Sequence, residues 1–100
     1  MSGKAYWVAH VSVTDPAAYQ AYRAAAAPAI AAHGGQILVL GGEQDLVAGA
    51  MRPATVIVAF PSLEAARSCY HGPDYQATLA MRDAGAEVDL AIVAGTPTSS

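Results

Sequence analysis

His10 is the residue in this chain best suited to move a proton near neutral pH. It falls midway along "AYWVAHVSV" (5–13), a run rich in β-branched and aromatic residues and too short for a comfortable helix. That composition predicts a strand, with Trp7, Ala9, Val11 and Val13 on one face and Tyr6, Val8, His10 and Ser12 on the other. The first face is wholly apolar and should meet helices. A histidine shifted onto it would cost about 1–3 kcal/mol for each unsatisfied polar group. The second face, turned toward a cavity that can hold water, is the less costly place. There His10 is the candidate catalytic group for proton transfer, against the plainer reading of an interface histidine bonded to a neighbour.

Other side chains could orient a ligand. Tyr19 and Tyr22 share one stripe of the first helix, and Tyr70 and Tyr75 flank a break in the second. Tyrosine joins an apolar body to a polar tip, which suits a pocket rim as well as a core. Glu43, Arg52 and Arg82 are charges in a chain with few. Arg82 suits a carboxylate ligand, or equally an ion pair with Asp83, Glu87 or Asp89. Tyr22, Glu43, Arg52, Tyr70, Tyr75 and Arg82 are therefore the candidate ligand-binding residues. If a pocket exists, it should lie between the sheet and the helices or at the mouth of a barrel, with His10 in its lining and Glu43 and Arg82 nearby. His33 at a helix end, and His71 before a break, read as partners of helix C-termini. No HxxxH or HxH spacing exists, and the single cysteine adds no cluster, so no metal site is expected. Cys69 has no evident activating cation and reads as a buried, inert thiol. No nucleophile–base pair, phosphate loop or dinucleotide fingerprint appears, and no cofactor is implied.

The elements that must position these residues are well punctuated. In "TDPAAYQAYRAAAAPAIAAHGG" (14–35), Asp15 caps a helix and Pro16 stands at its first position. Tyr19, Tyr22, Ala26, Ile30 and His33 make one stripe. Pro28 should kink that helix or divide it near Ala24. Gly34 ends it. "QILVL" follows as a strand that could run on to about residue 48, with a bulge or bend at Gly41-Gly42. "RPATVIVAFPS" (52–62) is a third strand. Ser62 caps the helix "SLEAARSCY", Gly72-Pro73 breaks it, and "PDYQATLAMRDAGA" continues as another. "EVDLAIVAG" (87–95) is the last strand.

The order β-α-β-β-α-β is the ferredoxin-like arrangement, an α+β fold with a four-stranded antiparallel sheet and helices on one face. The length suits one domain over residues 1–100, with a core at about 4–95 and a flexible tail at 96–100. Apolar residues make up 54% of the chain and charged ones 13%, and the strands read as apolar on both faces, so the open sheet face calls for a cover. The simplest cover is a second copy, which predicts a homodimer through that face. The net charge of −3 and the scattered basic residues argue against nucleic acid, and no apolar run spans a bilayer. The N-terminus lacks a signal-like core, so a cytoplasmic location is expected.

The stretches "YWVAHVSVTDPAAYQAY", "HGGQILVLGGE", "VIVAFPSLEAARSCYHGPDYQ" and "MRDAGAEVDLAIV" resemble the DUF1330 family of the dimeric α+β barrel superfamily, over about residues 4–95. The order and spacing of these words carry the resemblance. It implies a homodimer whose two sheets enclose a barrel-like cavity. The superfamily includes cofactor-free monooxygenases, haem-handling enzymes, lactone isomerases and stress proteins. For DUF1330 itself the resemblance supplies no catalytic set. Three positions depart from the family pattern. Gln36 and Leu40 stand where arginine is common, and Ala59 where glutamate is common, which weakens any site built on those charges. The functional readings are thus a small dimeric enzyme acting on a metabolite with His10 as proton-transfer group, a non-catalytic module that binds a small molecule, or a stress-related structural dimer.

Overall fold

The computed structural model describes residues 3–97. The expected tail therefore lies outside the described residues from position 98 onward. The chain runs β1 (Ala5–Val13), α1 (Pro16–Ala32), β2 (Gln36–Leu40), β3 (Ala54–Phe60), α2 (Leu63–His71), α3 (Pro73–Gln76), α4 (Leu79–Gly85) and β4 (Ala86–Ala94). The four strands form one sheet in the order β2-β3-β1-β4, and the pairings are antiparallel. This is the ferredoxin-like α+β fold expected from the element order.

The parity read from β1 holds. Trp7, Ala9 and Val11 are buried beneath the helices, while Tyr6, Val8, His10 and Ser12 are half-buried on the open face. The main core joins Ala5, Trp7, Val58 and Phe60 of the sheet to Ala26, Ala29 and Ile30 of α1, Ala66 and Cys69 of α2, and Tyr75 of α3. Trp7 is 3% exposed and its indole Nε1 donates to the Ala66 carbonyl at 3.0 Å. Its ring meets Phe60, Tyr70 and Tyr75 at centroid distances of 5.1, 5.6 and 4.8 Å. Aromatic contacts of this kind stabilise beyond the area they bury.

Both helix starts follow their capping signals. The Asp15 carboxylate accepts from the amides of Ala17 and Ala18, and Ser62 Oγ accepts from the amide of Ala65. The end of α1 is a Schellman motif: Gly34 takes φ +78°, its amide donates to Ala31, and the Gly35 amide donates to Ile30. Gly35 is glycine for a different reason. A Cβ there would stand 2.5 Å from the Ile30 side chain and 2.9 Å from the Phe60 ring.

Four expectations need correction. First, Pro28 does not divide α1, which runs as one helix from Pro16 to Ala32. The proline removes one ladder bond, but the buried stripe on both sides of it is anchored in the same core. Second, β2 ends at Leu40 rather than near residue 48. Gly41, at φ +66°, makes the last bond to β3, from its amide to the Thr55 carbonyl, and the chain then leaves the sheet. Third, the bulge lies between Ile37 and Val39, and the glycine pair supplies the bend expected of it, at Gly41. One extra residue there, Leu38, puts Ile37 opposite Val58 and Leu40 opposite Val56, both on the helix side. Fourth, the segment after Gly72 is two short helices. Thr78 Oγ1 donates to the Tyr75 carbonyl at 2.7 Å and separates them.

Among the described residues, no helix is long and apolar enough to cross a membrane.

Candidate functional site

Ten of the 17 residues of α1 are alanine. A helix with such short side chains fills little of the space between itself and a sheet. It is also drawn sideways onto α4. A Cβ on Gly85 would stand 2.4 Å from the Tyr19 amide nitrogen, so the two backbones touch there, and the Gly85 carbonyl accepts from the amides of Thr14 and Asp15. The result is a cavity of about 290 Å³ between α1 and the sheet. Trp7, Val56, Val58 and Leu90 form its floor, Ile37 and Leu40 close its β2 side, and Ala24, Ala26, Ala27 and Ile30 form its roof. The volume is at the lower end of the usual range for small-molecule sites.

The polar groups of the lining are Tyr19, Gln20, Tyr22, Arg23 and Arg82. Behind them stands a second layer. The hydroxyls of Tyr22 and the fully buried Tyr75 are 2.7 Å apart and share a hydrogen bond. Arg82 Nη1 donates to the Tyr70 hydroxyl at 3.4 Å, and Tyr70 and Tyr75 pack at a centroid distance of 5.2 Å. Burial pushes the Tyr22 phenol well above its ordinary range, and the neighbouring Tyr75 pushes it further. Burial also raises Tyr75, against the opposing hydrogen bonds from Tyr22 and Arg82. Tyr19 is raised by burial as well, with Arg23 opposing. Burial works against the charge of Arg82, but the hydrogen bonds to Tyr70 and Tyr75 outweigh it and keep the guanidinium protonated. These groups keep their protons at neutral pH, and the phenols can accept a hydrogen bond as well as donate one. Among the described residues, no Asp, Glu, His or Cys lines the cavity, so none of them offers it a carboxylate, imidazole or thiolate to take a proton.

The structure divides the candidate residues into two groups on opposite sides of the sheet. Tyr22 and Arg82 line the cavity, with Tyr70 and Tyr75 supporting them from behind. His10 and Arg52 belong to the open face, and Glu43 is exposed in the 41–53 segment between β2 and β3. On the open face His10 Nδ1 lies 3.2 Å from Thr55 Oγ1. The Thr55 hydroxyl donates to Gln44 Oε1, and Gln44 Nε2 donates to the Arg52 carbonyl. Because Thr55 spends its proton on Gln44, this network assigns the Nδ1 proton to His10. Arg52 donates to Asp89 from Nε at 3.0 Å, and from Nη1 to Glu87 at 3.0 Å and Ser12 at 3.2 Å. The hydrogen bonds to Asp89 and then Glu87 raise its guanidinium further. The remaining open face around Tyr6, Val8, Ile57, Ala91 and Val93 is apolar, so that face has a polar half and an apolar half.

Arg23, Gln20 and Trp7 were not among the candidates. Arg23 follows Tyr19 by one helical turn, a spacing that places both on one side of α1, and that was the available signal. Cys69 is buried, its Sγ–H points at the Ala29 carbonyl at 3.6 Å, and burial pushes its thiol up to about 11. His33 caps α1, with Nδ1 3.0 Å from the Ala29 carbonyl. Among the described residues no group of three or more His, Cys, Asp or Glu is placed to hold a metal ion.

The four-stranded antiparallel sheet with its helices on one face gives the chain the fold of small α+β barrel-type proteins. The chain matches the family described as Domain of unknown function (DUF1330) over residues 4–96, and it belongs to that family. A protein of unknown function from Rhodopseudomonas palustris, RPA0582, superposes with a TM-score of 0.77 at 18% identity, covering 98% of this chain and 86% of that one. SnoaB, a cofactor-independent oxygenase from Streptomyces nogalater, superposes with a TM-score of 0.68 at 14% identity, covering 97% of each chain. These likenesses are of fold. No curated protein sequence matches the chain.

Proposed function

We propose that this protein binds a small, ring-bearing metabolite in the cavity between α1 and the sheet, with Tyr22 and Arg82 orienting an oxygen of that ligand. The observation that carries this reading is the division of the lining: an apolar floor and roof, with hydrogen-bond donors drawn from α1 and α4. Such a surface buries a flat apolar body and fixes its orientation through a few polar groups. The ligand-binding roles of Tyr70 and Tyr75 become positioning roles in this reading, because they hold Arg82 and Tyr22 in place. His10 is assigned to the open face as a hydrogen-bonded interface residue, and Glu43 and Arg52 leave the site.

The test is a thermal-shift screen with naphthalene-, indole- and quinoline-based compounds. Those that bind should raise Tm by about 4–8 °C per kcal/mol of binding stabilisation. Ala27→Trp, which fills the cavity from the exposed side of α1, should abolish the shift while the fold survives. An undiminished shift in that variant would remove the cavity from consideration.

A second reading makes the protein an enzyme on the same ligand, as SnoaB is an oxygenase on the same fold. A lining whose charged groups are both arginines favours chemistry in which the protein stabilises negative charge developing on a ligand oxygen rather than abstracting a proton.

The open face is proposed to pair with a second copy. Its apolar half, around Val8, Ile57 and Val93, would be buried in the dimer. Light scattering at micromolar concentration should give twice the chain mass, and a monomeric mass would end this part of the reading.

A further inference from the structure

Among the described residues, the charged side chains that line the cavity are both arginines, Arg23 and Arg82, and no carboxylate lines it. The chain as a whole carries eight acidic residues against five basic ones, so this local excess runs against its overall composition. Arg82 is the more confined of the two, with a side chain 12% exposed. Its carboxylate partner is Asp83, reached from Nε at 3.2 Å, and that residue is 67% exposed and well screened by water. Nη1 is directed at the Tyr70 hydroxyl. With the hydrogen bond to Tyr75 counted as well, two of the five N–H donors of the guanidinium are still free. Glu87 and Asp89, the other acidic residues near this end of the chain, are bound to Arg52 on the far side of the sheet. A guanidinium largely removed from water, beside an apolar cavity and with donors to spare, favours a negative group in that cavity. Arg23, exposed and one turn from Tyr19, adds a second positive charge to the lining.

We infer that the ligand of this cavity is acidic: an apolar ring body that carries one anionic oxygen group, anchored on Arg82 and favoured by Arg23. This rests on the reading of the cavity as a ligand site and adds the charge class of the ligand to it.

The experiment compares three probes with the same ring, 2-naphthoate, 2-naphthylmethanol and 2-naphthylmethylammonium, by titration into the isotopically labelled protein. The single tryptophan gives one indole N–H signal, from Trp7 in the cavity floor. The naphthoate should bind at least about tenfold more tightly than the alcohol, and the ammonium most weakly. Its affinity should fall with added salt while that of the alcohol does not. Arg82→Gln should remove most of the preference and Arg82→Lys should restore part of it. If Arg82→Gln does not fold, Arg23→Gln, at an exposed position, should still reduce the preference about two- to threefold. Equal binding of naphthoate and alcohol would overturn the inference and leave the cavity as a site for neutral rings. Binding of none of the three would remove the cavity reading, and this inference with it.

Discussion

The helix-side face of the sheet and its open face are built from alternate residues of the same strands, yet they carry opposite kinds of chemistry. On the helix side, phenols and arginines are held in a mostly apolar cavity, where burial keeps protons on Tyr19, Tyr22 and Tyr75. On the open face, His10, Thr55, Gln44 and the Arg52 cluster lie near water, and each ion-pair partner of Arg52 is about two-thirds or more exposed. The same charge is therefore worth different amounts on the two faces. An arginine beside the cavity interacts in a low-dielectric setting, whereas Arg52 trades its attraction against hydration and salt. A strand alternation that moves a side chain by one position moves it between these two environments.

Substitutions along β1 should break this comparison most sharply. Trp7→Ala removes a buried indole and its hydrogen bond to Ala66, and should lower the unfolding free energy by about 3–5 kcal/mol. His10→Ala, three residues on and on the other face, should cost about 1 kcal/mol or less. Urea unfolding of both variants measures the difference, and similar losses would mean that the two faces are not distinct in burial.

Gly85→Ala tests why the cavity exists. The added Cβ meets the backbone of Tyr19 and must push α1 away from α4, at about 1–3 kcal/mol. The same displacement should alter the binding proposed for the cavity, while the self-association proposed for the open face should hold.

The buried phenols predict a pH dependence. Their folded-state values lie above the ordinary 10.0, so the unfolded chain gives up these protons first. The stability they confer is full below about pH 10 and is lost as pH rises past that value. Tm should therefore fall steeply in the alkaline range. Tyr22→Phe should cost about 0.5–1.5 kcal/mol at neutral pH and make the alkaline fall shallower. A fall of unchanged steepness would exclude Tyr22 as a contributor.

The smallest effect concerns Cys69. Its thiol is raised from 9.0 to about 11 by burial. At pH 8 its thiolate fraction should be about a hundredfold below that of an unperturbed cysteine. Labelling with a thiol reagent should be slow in the native protein and fast in denaturant, and fast native labelling would contradict the packing of α2 on α1.

The sequence by itself determined the element order, the capped helix starts, the glycine stop of α1 and the parity of β1. These rest on short-range rules: a carboxylate reaches amides two or three residues away, and side chains alternate along a strand. It also named Tyr22 and Arg82, because tyrosines in a helix stripe and an arginine in a poorly charged chain stand out. Only the tertiary structure decided that these two line one cavity, that Tyr70 and Tyr75 stand behind them, and that His10 lies on the other side of the sheet. By sequence alone His10 and Arg82 fall near one site, because alternation along a strand does not say which face of the sheet borders the cavity. The cavity lies between an alanine-rich helix and the sheet, and the place of that helix depends on contacts such as Gly85 of α4 against Tyr19 of α1, more than sixty residues apart in the chain. Likewise the extra residue at Leu38, which turns both Ile37 and Leu40 toward the cavity, comes from pairing with β3. No local pattern encodes it, because a bulge is a property of two strands in register and not of one.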